Sequence, residues 1–550
     1  MAKPTRITQG MIDEYTKRGY WDTRSIADIL KKNAERFPEK EALVDSKRRL
    51  TWAELDRVTD AVAEGLLDRG MKRDEAIVAQ LPLTGVSPIL LLAGHKAGII
   101  TCFAPLTFRR KEMQHLVETL HATAILTPLS LRETDYHAIA REIAGEVPHL
   151  RLLLVLGDAP PPGSVSFRQL MEAPFDRVNL KRLDEQAFGP FEVSSIVLTS
   201  GTTGMPKCIE HTGASSKVGG WGVVERAKLT PEDVVGIIAP LSGGPGLQNW
   251  WAAFQVGAKI CLLERFTPEG TLKFIERERV TYLPAIPTQL IKIIKECDFD
   301  RCDLRSLRIV RTGAAAFDAA MARETEKKLK CKVLIAGGSQ ETYSFAQTGV
   351  EDPDEKRLTT LGKPFPGNEV RIVDASGREV PGGEVGQLQV RGAATSSGYF
   401  GNRAATLEAW GALGMEGWYR TGDLARLDEG GYLTIVGRIK DMIIRAGQNV
   451  YPAEIENLLL THPKVSQAVL IGIPDPVLGE KACACIVTAP GQSLTLEEVI
   501  AFLKTKGLAV HKLPEKLVVM PQFPHLADGQ KVDRIGLRKT VLAKIAAEAD

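Results

Sequence analysis

Residues 199 to 207 read Thr199-Ser200-Gly201-Thr202-Thr203-Gly204-Met205-Pro206-Lys207, directly after the apolar run Ile196-Val197-Leu198. Hydroxyls, glycines and a lysine in one short loop suit a polyphosphate. Backbone amides and hydroxyls donate, the lysine supplies charge, and glycine lets the backbone approach closely. The loop does not end in the Gly-Lys-Ser/Thr of a Walker P-loop. Four further segments carry reactive side-chain types: Gly337-Gly338-Ser339-Gln340-Glu341-Thr342; Trp418-Tyr419-Arg420-Thr421-Gly422-Asp423; Gly437-Arg438-Ile439-Lys440-Asp441 running on to Arg445-Ala446-Gly447-Gln448-Asn449; and Asp528-Gly529-Gln530-Lys531-Val532-Asp533-Arg534. Taken singly, each has a plain structural reading. Glu341 suits a helix cap, Asp423 a turn after Gly422, Lys207 a solvated loop end, and Lys531 an ordinary surface position. Their co-occurrence in order is what those readings leave unexplained.

Positioning these segments requires a layered scaffold. The 550 residues bound about two to four domains. Ala76 to Leu81, Ile99 to Phe103, Ala124 to Leu126 and Leu152 to Leu156 read as buried strands separated by helix-length stretches. The rhythm continues after the 199–207 loop, at Val234 to Pro240, Lys259 to Leu263, Tyr282 to Ala285, Leu307 to Arg311 and Val333 to Ala336. Such alternation predicts α/β layering with parallel sheets. Thr51 is placed to cap a helix running from Trp52 to Leu67. From about Lys363 shorter alternating strands with Gly-rich turns predict a small β region, and after Gly437 a compact α/β stretch runs to Asp550.

Composition narrows the class. The chain is 44% hydrophobic and 25% charged, as globular proteins are, and its net charge of +2 argues against a dedicated nucleic-acid binder. The eight cysteines match no zinc spacing and no secreted disulfide framework, which suits a reducing, cytoplasmic setting. Cys483 and Cys485 share one strand face and read as buried thiols. Met1 to Tyr20 is polar and lacks a signal-peptide core. Pro88 to Pro105 includes His95, Lys96 and two glycines, so it reads as a buried helix entering a strand, not a membrane span.

In order and content, the five segments resemble those of the adenylate-forming superfamily of acyl-CoA synthetases, peptide-synthetase adenylation domains and luciferases. The resemblance covers nearly the whole chain. The opening Tyr15-Thr16-Lys17-Arg18-Gly19-Tyr20-Trp21 is similar to the start of stand-alone aryl-acid ligases of the dihydroxybenzoate type. The family implies an α/β fold. A large N-terminal domain of stacked sheets plus the small β region, residues 1–438, would precede a smaller mobile α+β domain, 439–550. It also implies a reaction in two halves: a carboxylate attacks the α-phosphate of ATP, and a thiol then attacks the acyl-adenylate.

By resemblance, Thr199, Ser200, Gly201, Thr202, Thr203, Gly204 and Lys207 hold the β- and γ-phosphates. Glu341 binds Mg2+, with Gly338 and Gln340 beside it. Asp423 accepts from the ribose hydroxyls and Arg438 supports them. Lys531 bridges the substrate carboxylate and the α-phosphate, Lys440 is the hinge, and Gly447 lines the path of coenzyme A. The implied cosubstrates are ATP, Mg2+, coenzyme A and a small carboxylic acid. The oligomeric state stays open between monomer and homodimer.

Two departures from the family pattern stand out. The family's aromatic position holds Gly337 and its threonine position holds Gln340, so the adenine loses its usual stacking partner; Tyr343 is one candidate replacement. The usual Gly-Lys pair near the C-terminus is interrupted as Gly529-Gln530-Lys531. The acid pocket is expected along Ser242, Gly243, Gly244, Gly313, Ala314 and Gly337, with Trp250 and Trp251 nearby. Dihydroxybenzoate ligases carry a His-Asn pair just after the 234–240 strand, and this chain has Leu241-Ser242-Gly243-Gly244 there. Small residues leave room, so a bulky, weakly polar acid is expected, carbocyclic or aromatic, such as cyclohexanecarboxylate or benzoate. Three alternatives are an enzyme loading a carrier protein, a medium-chain fatty acid–CoA ligase and a non-catalytic nucleotide-binding descendant.

Overall fold

The computed structural model describes residues 3–199, 205–315, 317–446, 448–524 and 532–547. The chain forms two compact units. The first comprises Met1–Phe317, Met321–Glu369 and Val390–Tyr419; the second comprises Asp318–Ala320, Val370–Gln389 and Arg420–Asp550.

The first unit is built on two large sheets. In the eight-stranded sheet the strands run in the order Gly398–Tyr399, Cys208–Thr212, Val193–Leu198, Ile100–Ala104, Ala76–Gln80, Ala124–Pro128, Leu152–Leu156 and Ser164–Ser166. Its central strands are parallel and buried on both faces, which is why they read as continuous apolar runs. Ile77 and Ala79 enter one core; Ala76 and Val78 enter another, with Met113, Leu116 and Ile143. The nine-stranded sheet runs from Lys363–Pro364 through Tyr343–Gln347, Lys332–Ser339, Ile309–Gly313, Tyr282–Pro284, Val234–Ile237 and Lys259–Leu262 to Glu41–Val44 and Arg49–Thr51. The core holding Ile77 also takes Leu43, Ile237, Ile260 and Leu334 from this sheet.

Helices fill that shared core. Thr51 caps the helix Trp52–Asp68 in a reciprocal box: Glu54 N donates to Thr51 Oγ1 at 3.2 Å, and Thr51 N donates to the Glu54 carboxylate at 2.8 Å. The segment from Pro88 to Pro105 is a buried helix, Val86–Ala97, turned by Gly98 into the strand Ile100–Ala104. Among the described residues no helix is long and apolar enough to cross a membrane. The helices Gly213–Ala227 and Gly244–Val256 pack closely through glycine. A Cβ on Gly220 would stand 2.8 Å from the Trp251 carbonyl carbon, while Gly219 and Gly222 make room for Tyr343 and Phe365. Trp250 and Trp251 are 0% exposed and pack with Phe254 in the core. They therefore do not line an acid pocket: both helical positions face inward, where indole area is best buried.

The second unit carries two smaller sheets. In the four-stranded sheet, Tyr419–Leu427 and Leu433–Arg438 form an antiparallel pair. The five-stranded sheet is centred on Gly479–Thr488, with Val465–Asp475 antiparallel to it and Lys516–Val519 parallel. The helices Pro452–Leu460 and Leu496–Thr505 bury Ile455, Leu459, Val499 and Leu503 in one core beside this sheet. Cys483 and Cys485 point together into another core with Val518, Leu537 and Val541. All eight cysteines are free thiols. Arg534, opening the helix Arg534–Ala547, holds both oxygens of Glu456 at 2.6 and 2.7 Å.

Candidate active site

The 199–207 loop connects the antiparallel strands Val193–Leu198 and Cys208–Thr212. Its two ends are tied. Thr199 N donates to Lys207 O at 3.2 Å, and Lys207 N donates to Thr199 Oγ1 at 3.0 Å. Ser200, Gly201, Thr202, Thr203 and Gly204 lie outside the described residues. Lys207 Nζ sits 4.8 Å from the centre of the Tyr399 ring, a cation–π distance. Tyr399 belongs to the short strand Gly398–Tyr399, paired with Ile209. Its hydroxyl donates to Glu341 Oε1 at 3.0 Å. Burial, and then the Glu341 carboxylate, push the phenol well above its usual value, so it remains a donor. Lys207, Tyr399 and Glu341 thus meet in one corner although 134 residues separate the lysine from the glutamate in sequence.

Glu341 sits in the tight connection between Lys332–Ser339 and Tyr343–Gln347, so it caps no helix. It is 6% exposed, and its carbonyl accepts from Ser396 N at 2.7 Å. Gly338 is required here. It lies opposite Ser344, and a Cβ would come within 2.0 Å of the Tyr343 carbonyl oxygen. Tyr343 adopts φ 52°, rare for a bulky residue. It is held there by Ser216 Oγ, 3.0 Å from its hydroxyl, and by the His211 ring, 4.4 Å away between centroids. At 3% exposure Tyr343 is a core residue and offers no stacking face to an adenine. The space beside Gly337 is taken by Leu361, whose Cδ1 would stand 2.2 Å from a Cβ at that position. His211 is buried, which pulls its imidazole down to about 4 and keeps it neutral. Its Nε2 lies 2.8 Å from Gln340 O and therefore carries the proton, fixing the connection from below.

The expected acid-binding residues gather at the ends of three elements. Gly243 caps the helix Gly244–Val256 without a side-chain hydrogen bond, and of the first three helical residues only Gly244 and Gly246 carry an amide N–H, since Pro245 has none. A Cβ on Gly244 would stand 3.3 Å from Gln340 Oε1, so the helix start and the glutamate hairpin adjoin. Gly313 ends its strand, and a Cβ there would stand 2.4 Å from Ala336 O. Ala314 follows at φ 69°, a second left-handed non-glycine residue. Ser242 lines a small crevice with Leu83, Phe103 and Ala104.

In the second unit Asp423 and Arg438 face each other across the antiparallel pair, with Arg438 Nε 3.1 Å from Asp423 Oδ1. Asp423 N donates to Thr421 Oγ1 at 3.0 Å, and Thr421 donates in turn to Leu388 O at 3.0 Å. Lys440 is exposed in a single 3-10 turn, Ile439–Asp441. Gly447 and Lys531 lie outside the described residues. Pro524 and Asp533, which flank the Lys531 segment, are joined by Asp533 N donating to Pro524 O at 2.8 Å.

Tyr399, His211 and Leu361 are the contributors that motif reading passes over. Only the Gly-Tyr pair after three hydroxyl residues hints at the first, and nothing in the sequence marks the other two.

Comparison with known proteins identifies the family. Residues 30–400 match the model of the AMP-binding enzyme family, and residues 454–530 match that of the AMP-binding enzyme C-terminal domain. The chain is 33% identical over 545 residues to a salicylyl-CoA synthase / salicylate adenylyltransferase of Streptomyces sp, covering 97% of this chain and 96% of the relative. It is 32% identical over 538 residues to the salicyl-AMP ligase / salicyl-S-ArCP synthetase of Mycobacterium tuberculosis (strain ATCC 25618 / H37Rv), covering 94% and 91%. The solved structure of the anthranilate CoA ligase AuaEII in complex with anthranoyl-AMP superposes with a TM-score of 0.84 at 25% identity, covering 96% of this chain and 98% of that one. With the phosphate-type loop, the buried glutamate corner and the two-unit build, the chain belongs to the AMP-binding, adenylate-forming enzymes, ligases that activate a carboxylic acid with ATP.

Proposed function

We propose that this ligase activates a carbocyclic or aromatic acid and passes the acyl group to coenzyme A. The observation that carries the reading is the corner where Lys207, Tyr399 and Glu341 converge at the base of the 199–207 loop. Attack of a carboxylate oxygen on the α-phosphorus expels pyrophosphate and spreads negative charge over the phosphate oxygens. Lys207 rests on an aromatic ring and pairs with no carboxylate among the described residues, so its charge stays available to the β- and γ-phosphates. Magnesium fits the corner. Glu341 offers one buried carboxylate, and Mg2+ commonly takes one or two carboxylates together with substrate phosphates. Glu341 is the carboxylate that would hold it, and the ion would neutralise phosphate charge.

In this reading Asp423 accepts from the ribose hydroxyls and Arg438 orients that carboxylate. Lys531 gathers the attacking carboxylate and the α-phosphate, a task for a point charge with three donors. Gly338, Gln340 and the amides of Gly244 and Gly246 face the acid. In the second half-reaction the thiol attacks the acyl carbonyl and AMP leaves. Lys440 lies inside the second compact unit, which begins its last stretch at Arg420; in this reading it is the hinge at which 439–550 turns against 1–438, and Gly447 admits the pantetheine arm. Both ATP and coenzyme A are cytoplasmic substrates, and we place the enzyme there.

The test measures AMP and acyl-CoA with ATP, Mg2+ and CoA over cyclic, aromatic and linear medium-chain acids, with Lys531→Ala as control. Turnover of a ring acid is expected, falling about 10² to 10³ in the control. Preferred turnover of linear acids would replace the ring-acid reading. The second acceptor, a carrier protein, is favoured by the relative named as a salicyl-S-ArCP synthetase. Acid-dependent pyrophosphate exchange without acyl-CoA would select it.

A further inference from the structure

The rim of the expected acid pocket is small and weakly polar, but the residue beneath it is a cation. Arg311 lies on the strand Ile309–Gly313, two residues before Gly313 on the same face, and is 5% exposed. Its Nε donates to Gln347 Oε1 at 2.6 Å, and its Nη2 donates to Gln248 Oε1 at 3.0 Å and Ser344 Oγ at 2.6 Å. Each acceptor ties it to the rim. Gln248 is one helical turn after Gly244, and Ser344 lies opposite Gly338. The guanidinium therefore sits one layer below Gly244, Gly313 and Gly338.

All three acceptors are neutral. Among the described residues no carboxylate pairs with Arg311, and its Nη1 donates to nothing. Other arginines of this unit differ. Arg357, 2% exposed, meets Glu326 and Asp354, and Arg308 meets Asp233. Arg6 is the other buried arginine with neutral acceptors, but its three nitrogens are all engaged, by Ser396 O, Gly414 O and Thr395 Oγ1. Burial lowers Arg311 from the usual arginine value, yet an arginine stays charged. A buried, uncompensated charge is costly to fold around, and a charge-bearing ligand offsets that cost.

We propose that Arg311 determines acid specificity by binding a second carboxylate on the substrate, remote from the one that is adenylated. The inference rests on the adenylation reading and sharpens its substrate class from a ring acid to a ring acid with a second anionic group. Nη1 supplies the free donor, and Gln248, Gln347 and Ser344 hold the fork in place. A site built around a charged donor rejects analogues lacking its partner more strongly than an apolar pocket rejects a missing methylene.

The test is acid-dependent ATP–pyrophosphate exchange with benzoate and the 1,2-, 1,3- and 1,4-benzenedicarboxylates, each scored as a kcat/KM ratio to benzoate within one protein. The ratio cancels any loss of folded enzyme. In the wild type at least one dicarboxylate is expected to exceed benzoate about 30-fold, chiefly through KM. Arg311→Met is expected to bring the ratio below one. Gln347→Glu, which supplies a carboxylate to the guanidinium from within, is expected to do the same while benzoate exchange survives. A wild type preferring benzoate to every dicarboxylate, or either variant leaving the ratio unchanged, would overturn the proposal while leaving the ligase reading intact. No exchange with any acid would overturn both.

Discussion

Two carboxylates are assigned to the nucleotide, and the protein treats them differently. Glu341 in the first unit is buried at 6% exposure, receives the Tyr399 hydroxyl, and stands on a hairpin braced by His211 and Tyr343. Asp423 in the second unit is 20% exposed at its side chain and faces Arg438, itself 52% exposed, across an open strand pair. Water screens the second pair, so its ion-pair energy is about 0–1 kcal/mol at most. The first is fixed before any ligand arrives, in surroundings of low dielectric where a charge acts strongly on its neighbours. In the proposed reading the contrast is a division of labour: Glu341 would act on charge that develops during reaction, whereas Asp423 would hold a ground-state ligand.

Substitution tests this division directly. Glu341→Gln keeps the shape and removes the charge, and is expected to lower kcat for adenylation about 10²-fold and to raise the Mg2+ concentration needed for half-maximal rate. A change confined to KM would erase the distinction. Asp423→Asn is expected to raise KM for ATP about tenfold with kcat nearly unchanged, since hydrogen bonds to charged groups contribute about 1.5–3 kcal/mol. Its unfolding midpoint should stay near that of the wild type, as for other screened pairs. Tyr399→Phe removes one donor from Glu341 while keeping the ring under Lys207. A fall of about fivefold in kcat, with about 1 kcal/mol lost from stability, is expected from one hydrogen bond. Unchanged kinetics would mean that Glu341 needs no brace.

The sequence makes the scaffold plainer than the brace. Strands such as Ala76–Gln80 and Ile100–Ala104 are legible because burial on both faces demands unbroken apolar runs. The capping box at Thr51 and Glu54 is legible because its partners are three residues apart. The loop at Thr199 to Lys207 stands out by its composition. Tyr399 is not legible in this way, because its partner Glu341 is 58 residues away and belongs to the other large sheet, so the two meet only in the tertiary fold. Tyr343 misleads because side-chain type says aromatic and nothing in sequence says which face is buried. Trp250 and Trp251 mislead for the same reason. Arg311 sits in an apolar-looking strand, and only the tertiary structure reveals that none of its acceptors is charged.

An effect on stability and not on rate concerns pH, and it comes from two neighbours under the buried corner. Glu210 is 2% exposed, and burial pushes its carboxyl up to about 7 despite donation from Thr5 N and Oγ1 at 2.9 and 2.7 Å. The folded state therefore binds more protons than the unfolded state between about 4.5 and 7. This stabilising contribution is full below 4.5 and is lost as pH rises through 7. His211, pulled down to about 4, does the reverse. Its contribution is full above 6.5 and is lost as pH falls through 4. Between 4.5 and 6.5 the two slopes oppose, each at most about 1.4 kcal/mol per pH unit, and the pair leaves stability nearly flat. His211→Asn removes one side of the balance. Relative to the wild type, it should lose about 1 kcal/mol of stability per pH unit as pH rises from 5 to 6.5, read from denaturant midpoints. Glu210→Gln should tilt the other way. Parallel curves for His211→Asn and the wild type would mean that the imidazole is not held neutral, and the case for a rigid floor beneath Glu341 would fail with it.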